Sequence, residues 1–130
     1  MRTRGIAGQC EVIAEFDRIR NEVLRRPRVE ADLKQAIVEI RKRMLVEVDR
    51  GDDSHFDINR GVGGITDIEF MVQYAVLRWA AQHDALLDWT DNRRLLETIA
   101  ELELLPAAAC GELRDTYFAY RAQIHRSALQ

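Results

Sequence analysis

An all-α bundle of about five helices is the fold this sequence predicts, on three observations. Hydrophobic residues make up 47% of the 130 positions and charged residues 32%, with two prolines and no sustained alternation of the kind a half-buried strand needs. Apolar residues recur instead at three- and four-residue steps through several long stretches, the period of one helix face. The breaks between those stretches carry the Gly and Pro residues that punctuate helices. One domain spanning residues 1–130 is expected, large enough to bury about two-thirds of its unfolded surface.

Gly8 precedes the first helix, in which Val12, Ile13, Phe16, Ile19, Val23 and Leu24 keep helical spacing until Pro27 ends it. A second, longer helix of about 20 residues runs from Val29 to near Arg50, with Glu39 and Arg43 as an i,i+4 pair on its outer face. The segment from Gly51 to Gly64 holds four glycines and exceeds a minimal connection, as functional loops do. The third helix is expected over Thr66–Gln82. Its near-continuous apolar sequence from Ile68 to Ala81 makes it the central, buried one. Thr90 is read as the cap of a fourth helix carrying Leu95, Leu96 and Ile99 inward, and Pro106 as part of the first turn of a fifth. Gly111 costs that last helix up to about 1 kcal/mol relative to Ala. Either the helix starts after it or the backbone passes close to a neighbour there.

The most informative segment is Gly63-Gly64-Ile65-Thr66-Asp67-Ile68-Glu69, where a glycine loop meets an acidic helix start. Paired glycines permit positive φ and close approach, and Thr66 with Glu69 has the spacing of a capping box. Thr66, Glu69 and Gln73 fall within about 60° of one another on an otherwise apolar helix, with Asp67 and Arg78 on a different side. A carboxylate on such a helix needs a partner, which makes an Arg, a backbone donor or a ligand the expected neighbour of Glu69. Free N–H groups at a helix start can cradle phosphate, but the acids here disfavour a bare anion and fit a metal-bridged nucleotide, ribose or base better. The plainer reading is a cap and a tight turn.

Other constellations exclude more than they suggest. The formal net charge is −3 and acids are interspersed among seventeen Arg and two Lys, so no nucleic-acid surface is expected. Cys10 and Cys110 are too few and too isolated for a disulfide framework or zinc site. His55, His83 and His125 lack ligand spacing, and no metal site is expected from them. The basic run Arg18 to Arg28 complements the end of the first helix and reads as a solvated face. Tyr117, Phe118 and Tyr120 read as packing residues. No Ser-His-Asp or Cys-His arrangement has catalytic spacing. There is no run of about 20 apolar residues and no leader-like segment after Met1, so neither membrane insertion nor export is expected, and a cytoplasmic location is.

Phe56-Asp57-Ile58, the Gly63 to Phe70 motif, Gln73-Tyr74, Leu77-Arg78 and Trp89-Thr90-Asp91-Asn92-Arg93 together resemble bacterial glutamine synthetase adenylyltransferase. More narrowly, they resemble the helical domain that follows its C-terminal nucleotidyltransferase core. Phe16-Asp17-Arg18-Ile19-Arg20 and Pro27 stand in the family's order, and the resemblance covers roughly Arg2 to the end. It implies a fragment of a larger enzyme that transfers AMP from ATP to a tyrosine of glutamine synthetase, with ATP and Mg2+ as cofactors of the parent and none held tightly here. The catalytic core would be missing, and this chain would supply no catalytic residue. Arg60, Gly63, Gly64, Asp67 and Glu69 would face the nucleotide or the shared cleft. The implied partners are that core, glutamine synthetase and a PII-type signalling protein. Two alternatives stand beside this: the AMP-removing half or a related uridylyltransferase helical domain, and a non-catalytic helical interaction module. The chain departs from the family pattern at Asn59-Arg60, where a Lys is usual, and Arg is not equivalent to Lys at a tight contact.

Overall fold

A computed structural model describes residues 10–48 and 57–130. It contains five α-helices, α1 (Cys10–Leu24), α2 (Glu30–Val48), α3 (Ile65–Trp79), α4 (Asn92–Glu101) and α5 (Ala107–Ala128), with a single 3-10 turn at Asp84–Leu87 between α3 and α4. Among the described residues there is no strand, as the periodicity requires. The expected start of the first helix after Gly8, the end of the second at Arg50 and the Gly51–His55 break lie outside the described residues.

Helix α3 is the hub, packing against α2, α4, α5 and the 3-10 turn. Val72, Ala75 and Val76 turn one side of it into the main core, where they meet Leu86, Leu96 and Ile99. A second cluster at its N-terminal end joins Ile65 and Ile68 to Tyr117 of α5. The expectation of an all-round buried α3 is thus half realised. Met71, on the side facing away from α4 and α5, is 47% exposed, because among the described residues only α2 flanks that side and it leaves a groove against α3.

Three local expectations are corrected. Helix α3 begins at Ile65, with Gly64 as its N-cap and no side-chain cap bond, so the capping box of Thr66 and Glu69 does not form. Thr66 is already inside the helix, and its hydroxyl donates to Asn59 O instead (2.6 Å). Helix α4 is capped by Asp91, not Thr90, the carboxylate accepting from Arg94 N. Helix α5 starts before Gly111, with Pro106 as N-cap, and a Cβ at Gly111 would meet nothing within 4 Å. Neither reason expected for that glycine holds.

Candidate functional site

The loop before α3 is built from its own polar groups. Asp57 Oδ1 accepts from the N–H groups of Asn59 (2.8 Å) and Arg60 (3.2 Å), an Asx-type turn that reverses the chain. The backbone then closes on itself through Gly61 N to Asp57 O (2.8 Å), Gly64 N to Gly61 O (3.0 Å), Ile65 N to Ile58 O (2.8 Å) and Thr66 N to Asn59 O (3.1 Å). Both glycines have a reason. Gly63 has φ of 79°, where a Cβ is strained. A Cβ on Gly64 would lie 2.6 Å from Ile58 O and 3.0 Å from Gly61 O, and both are backbone atoms that cannot swing aside.

Arg41, projecting from α2, holds this loop against the bundle. Its guanidinium pairs through Nε with Asp67 Oδ1 and donates through Nη2 to Arg60 O (2.7 Å) and Gly61 O (3.0 Å). Asp67 Oδ2 accepts from Gly63 N (2.6 Å). One carboxylate thereby ties the second glycine-loop crossing to a helix from elsewhere in the bundle. Burial acts to raise the Asp67 pKa, but the Arg41 hydrogen bond, the Gly63 N–H and the Arg41 charge together hold it below the usual aspartate value. Arg41 is 9% exposed, so removing its carboxylate would strand a buried cation.

This geometry changes what the loop can do. The N–H groups of Gly61, Gly63, Gly64, Ile65 and Thr66 are all engaged within the loop, and the Asp67 carboxylate sits where an anion would have to bind. The loop is therefore a preorganised, outward-facing crown, not a phosphate cradle. Of the five residues singled out from the sequence, Gly63 and Asp67 meet directly, and Arg60 joins them through its carbonyl on Arg41. The Arg60 side chain is exposed, Gly64 is buried beneath the crown, and Glu69 is half-buried. Two residues along α3, Glu69 points about 160° away from Asp67, so the two acids do not form one cluster. Arg41 was absent from the sequence reading. Its signal was an Arg standing three or four residues from Ile37, Met44 and Leu45, the half-buried side chains of α2.

The Trp89 to Asn92 segment borders a separate polar depression of about 500 Å3, lined by residues including Asp17, Arg20, Trp89, Asp91 and Arg94. The Arg94 guanidinium lies 4.2 Å from the Trp89 ring centre, a cation–π contact. Arg20 crosses from α1 to donate to Leu87 O (3.1 Å), and burial lowers its pKa. Asn92 is 1% exposed, and neither atom of its amide has a hydrogen-bond partner among the described residues.

The remaining expectations are quickly placed. Arg18 bridges Glu15 and Glu22, and Arg25 pairs with Asp84 at 3.0 Å. Arg28 caps the end of α1 through the carbonyls of Val23, Leu24 and Arg26. The basic run is thus largely committed within the chain. Tyr117 is buried, with Tyr120 packed against its cluster, whereas Phe118 is 45% exposed. Cys10 is exposed and Cys110 buried, both as free thiols, and burial pushes the Cys110 thiol up. Among the described residues no three His, Cys, Asp or Glu side chains converge as metal ligands, and no helix is long and apolar enough to cross a membrane.

Comparison with known proteins places this architecture in a family. Residues 31–130 match the family model described as GlnD PII-uridylyltransferase. The chain is 42% identical over 130 residues to a bifunctional glutamine synthetase adenylyltransferase/adenylyl-removing enzyme of Nitrosococcus oceani, covering all of this chain and 13% of that protein. Proteins of the same name in Pseudomonas aeruginosa and Pasteurella multocida are 42% and 41% identical, over 100% and 96% of this chain and 14% and 13% of their own lengths. The chain thus spans about one seventh to one eighth of these relatives. It belongs to the family described as GlnD PII-uridylyltransferase, and along its whole length it is similar to a short part of the bifunctional glutamine synthetase adenylyltransferase/adenylyl-removing enzymes.

Proposed function

We propose that this chain is the helical domain of an adenylyltransferase that moves AMP from ATP to a tyrosine of glutamine synthetase. The observation that carries the reading is similarity along the entire chain to enzymes bearing that name. The loop crown adds physical support. A surface that must meet a second domain across a cleft benefits from being rigid before contact, and Arg41 with Asp67 supplies that rigidity.

In this reading Arg60 and Gly63 present the crown to the nucleotidyltransferase core that precedes the domain, Gly64 and Asp67 fix its shape, and Glu69 faces the cleft from the other side of α3. The crown's own N–H groups are consumed, so the residues described here do not fit ATP phosphates. ATP and Mg2+ belong to the core, and this domain orients the nucleotide end or the arginines around it. Glutamine synthetase and a PII-type signalling protein are partners of the whole enzyme, which works in the cytoplasm.

A second reading is favoured by the family model, whose description is a uridylyltransferase: the domain would then serve uridylyl transfer or the AMP-removing half. Radiolabelled AMP incorporation by the longer protein separates these. Transfer from ATP onto glutamine synthetase supports the first reading. Phosphate-dependent release of AMP without transfer, or UMP transfer from UTP, supports the second. A domain that can be replaced by an unrelated helical spacer without loss of rate would be an interaction module only.

A further inference from the structure

Among the described residues, two apolar surfaces lack a partner, and they match each other. The first is a groove of about 650 Å3 between α2 and α3, floored by Ile37, Phe70, Met71, Tyr74 and Trp79. It runs beside α2 from Glu30 to Lys42, about 18 Å at 1.5 Å per residue. Its cationic rim is uncompensated. Glu30 is taken by Arg78 (2.9 Å) and Asp67 by Arg41, while Lys34 and Lys42 make no hydrogen bond or ion pair among the described residues. These two lysines lie eight residues apart, about 12 Å along one face of α2.

The second surface is on α1. Leu24 is the buried residue of that helix, whereas Val12, Ile19 and Val23 are 62%, 48% and 39% exposed. With Phe16 they sit at steps of four, three and four, within an arc of about 60°. That is the a/d spacing with which one helix packs on others. The seam is about 16 Å long, close to the length of the groove. Glu15 and Glu22 flank it on one side, seven residues or about 10 Å apart, near the lysine spacing. Their present partners are Arg18, which bridges both, and Arg26, which reaches Glu22 at 4.0 Å, in exposed pairs of the kind that exchange readily. In its own chain α1 is tied to the 3-10 turn region by Arg25 to Asp84 and Arg20 to Leu87 O.

We propose that the α2–α3 groove is a docking site for α1 of a second copy of this chain, with Val12, Phe16, Ile19 and Val23 in the groove and Glu15 and Glu22 against Lys34 and Lys42. Length, apolar spacing and charge all point to that occupant. A compact small molecule would leave most of an 18 Å trough empty, and an anionic surface would not fill its aromatic floor.

Sedimentation equilibrium of the 130-residue chain tests this, with circular dichroism confirming that each variant is folded. The chain should dimerise, with the dissociation constant raised at least tenfold by either Ile19→Asp, which spoils the seam, or Met71→Asp, which spoils the groove. Mixing those two variants is decisive. Each retains what the other lacks, so the mixture should form a heterodimer although neither variant self-associates. The double reversal Lys34→Glu with Lys42→Glu should weaken the dimer, and Glu15→Lys with Glu22→Lys in the same chain should restore it. A wild-type chain that stays monomeric at high concentration overturns the proposal. So does a dimer lost in Ile19→Asp but unaffected by Met71→Asp, because α1 would then be pairing with α1.

Discussion

Asp67 receives hydrogen bonds from Arg41 and from the Gly63 N–H, and its pKa is held below the ordinary value, so the folded chain binds its proton more weakly than the unfolded chain does. A depressed carboxylate contributes stability that is complete above the unfolded value, about 3.9 for Asp, and lost as pH falls through the lower folded value. Asp67→Asn should therefore melt below wild type at pH 7, with the gap closing as the pH is taken below about 4. A gap constant from pH 7 to pH 3 would show that the charge is not what holds the loop. The glycines give an opposed pair of expectations. Gly64→Ala drives a Cβ against two carbonyl oxygens and should cost about 1–3 kcal/mol. Gly111→Ala adds a Cβ in open space within α5 and should stabilise by up to about 1 kcal/mol. Chemical denaturation of both variants reads the two signs directly.

At the level of elements, the sequence located helices better than their ends. Periodicity located all five: burial against α3 selects one face of α2, α4 and α5, whereas α1 keeps the apolar spacing with Val12, Ile19 and Val23 exposed. The caps were harder to read, since neighbouring residues of equal capping ability compete and the winner is set by the chain's path. Thr90 and Asp91 are both good caps, and the turn leaving the 3-10 segment puts Asp91 at the position whose carboxylate reaches Arg94 N (3.0 Å). Asp91→Ala should thus lose about 1 kcal/mol, and Thr90→Ala clearly less. Equal losses would contradict the assignment. At α3 the loop's bond from Ile65 N to Ile58 O starts the helix one residue early, which removes Thr66 from the cap and gives its hydroxyl to Asn59. Sequence spacing alone cannot register a constraint imposed seven residues upstream.

Across the whole molecule, the site was legible in part. The glycine pair announced itself through the positive φ and the close backbone approach that only glycine allows, and Asp67 through local charge. Arg41 did not, because its partner is 26 residues away, beyond any spacing a helix pattern registers. Only its place on the apolar face of α2 betrayed it. The groove beside it was likewise hidden, since an apolar residue on α3 reads as core whether or not a neighbour arrives to cover it.

The most direct test is radiolabelled AMP transfer from ATP to purified glutamine synthetase by the longer protein, restored with its upstream segment. Arg60→Ala and Glu69→Gln would be compared with wild type, and Asp91→Ala would serve as a destabilised control. If the crown and α3 face the catalytic cleft, the first two should lose at least tenfold in rate, about 1.4 kcal/mol of barrier, with melting temperatures close to wild type. Asp91→Ala should melt lower yet transfer AMP normally at permissive temperature. Full transfer by Arg60→Ala and Glu69→Gln would contradict the cleft role, and an intact longer protein that transfers no AMP would contradict the adenylyltransferase reading itself.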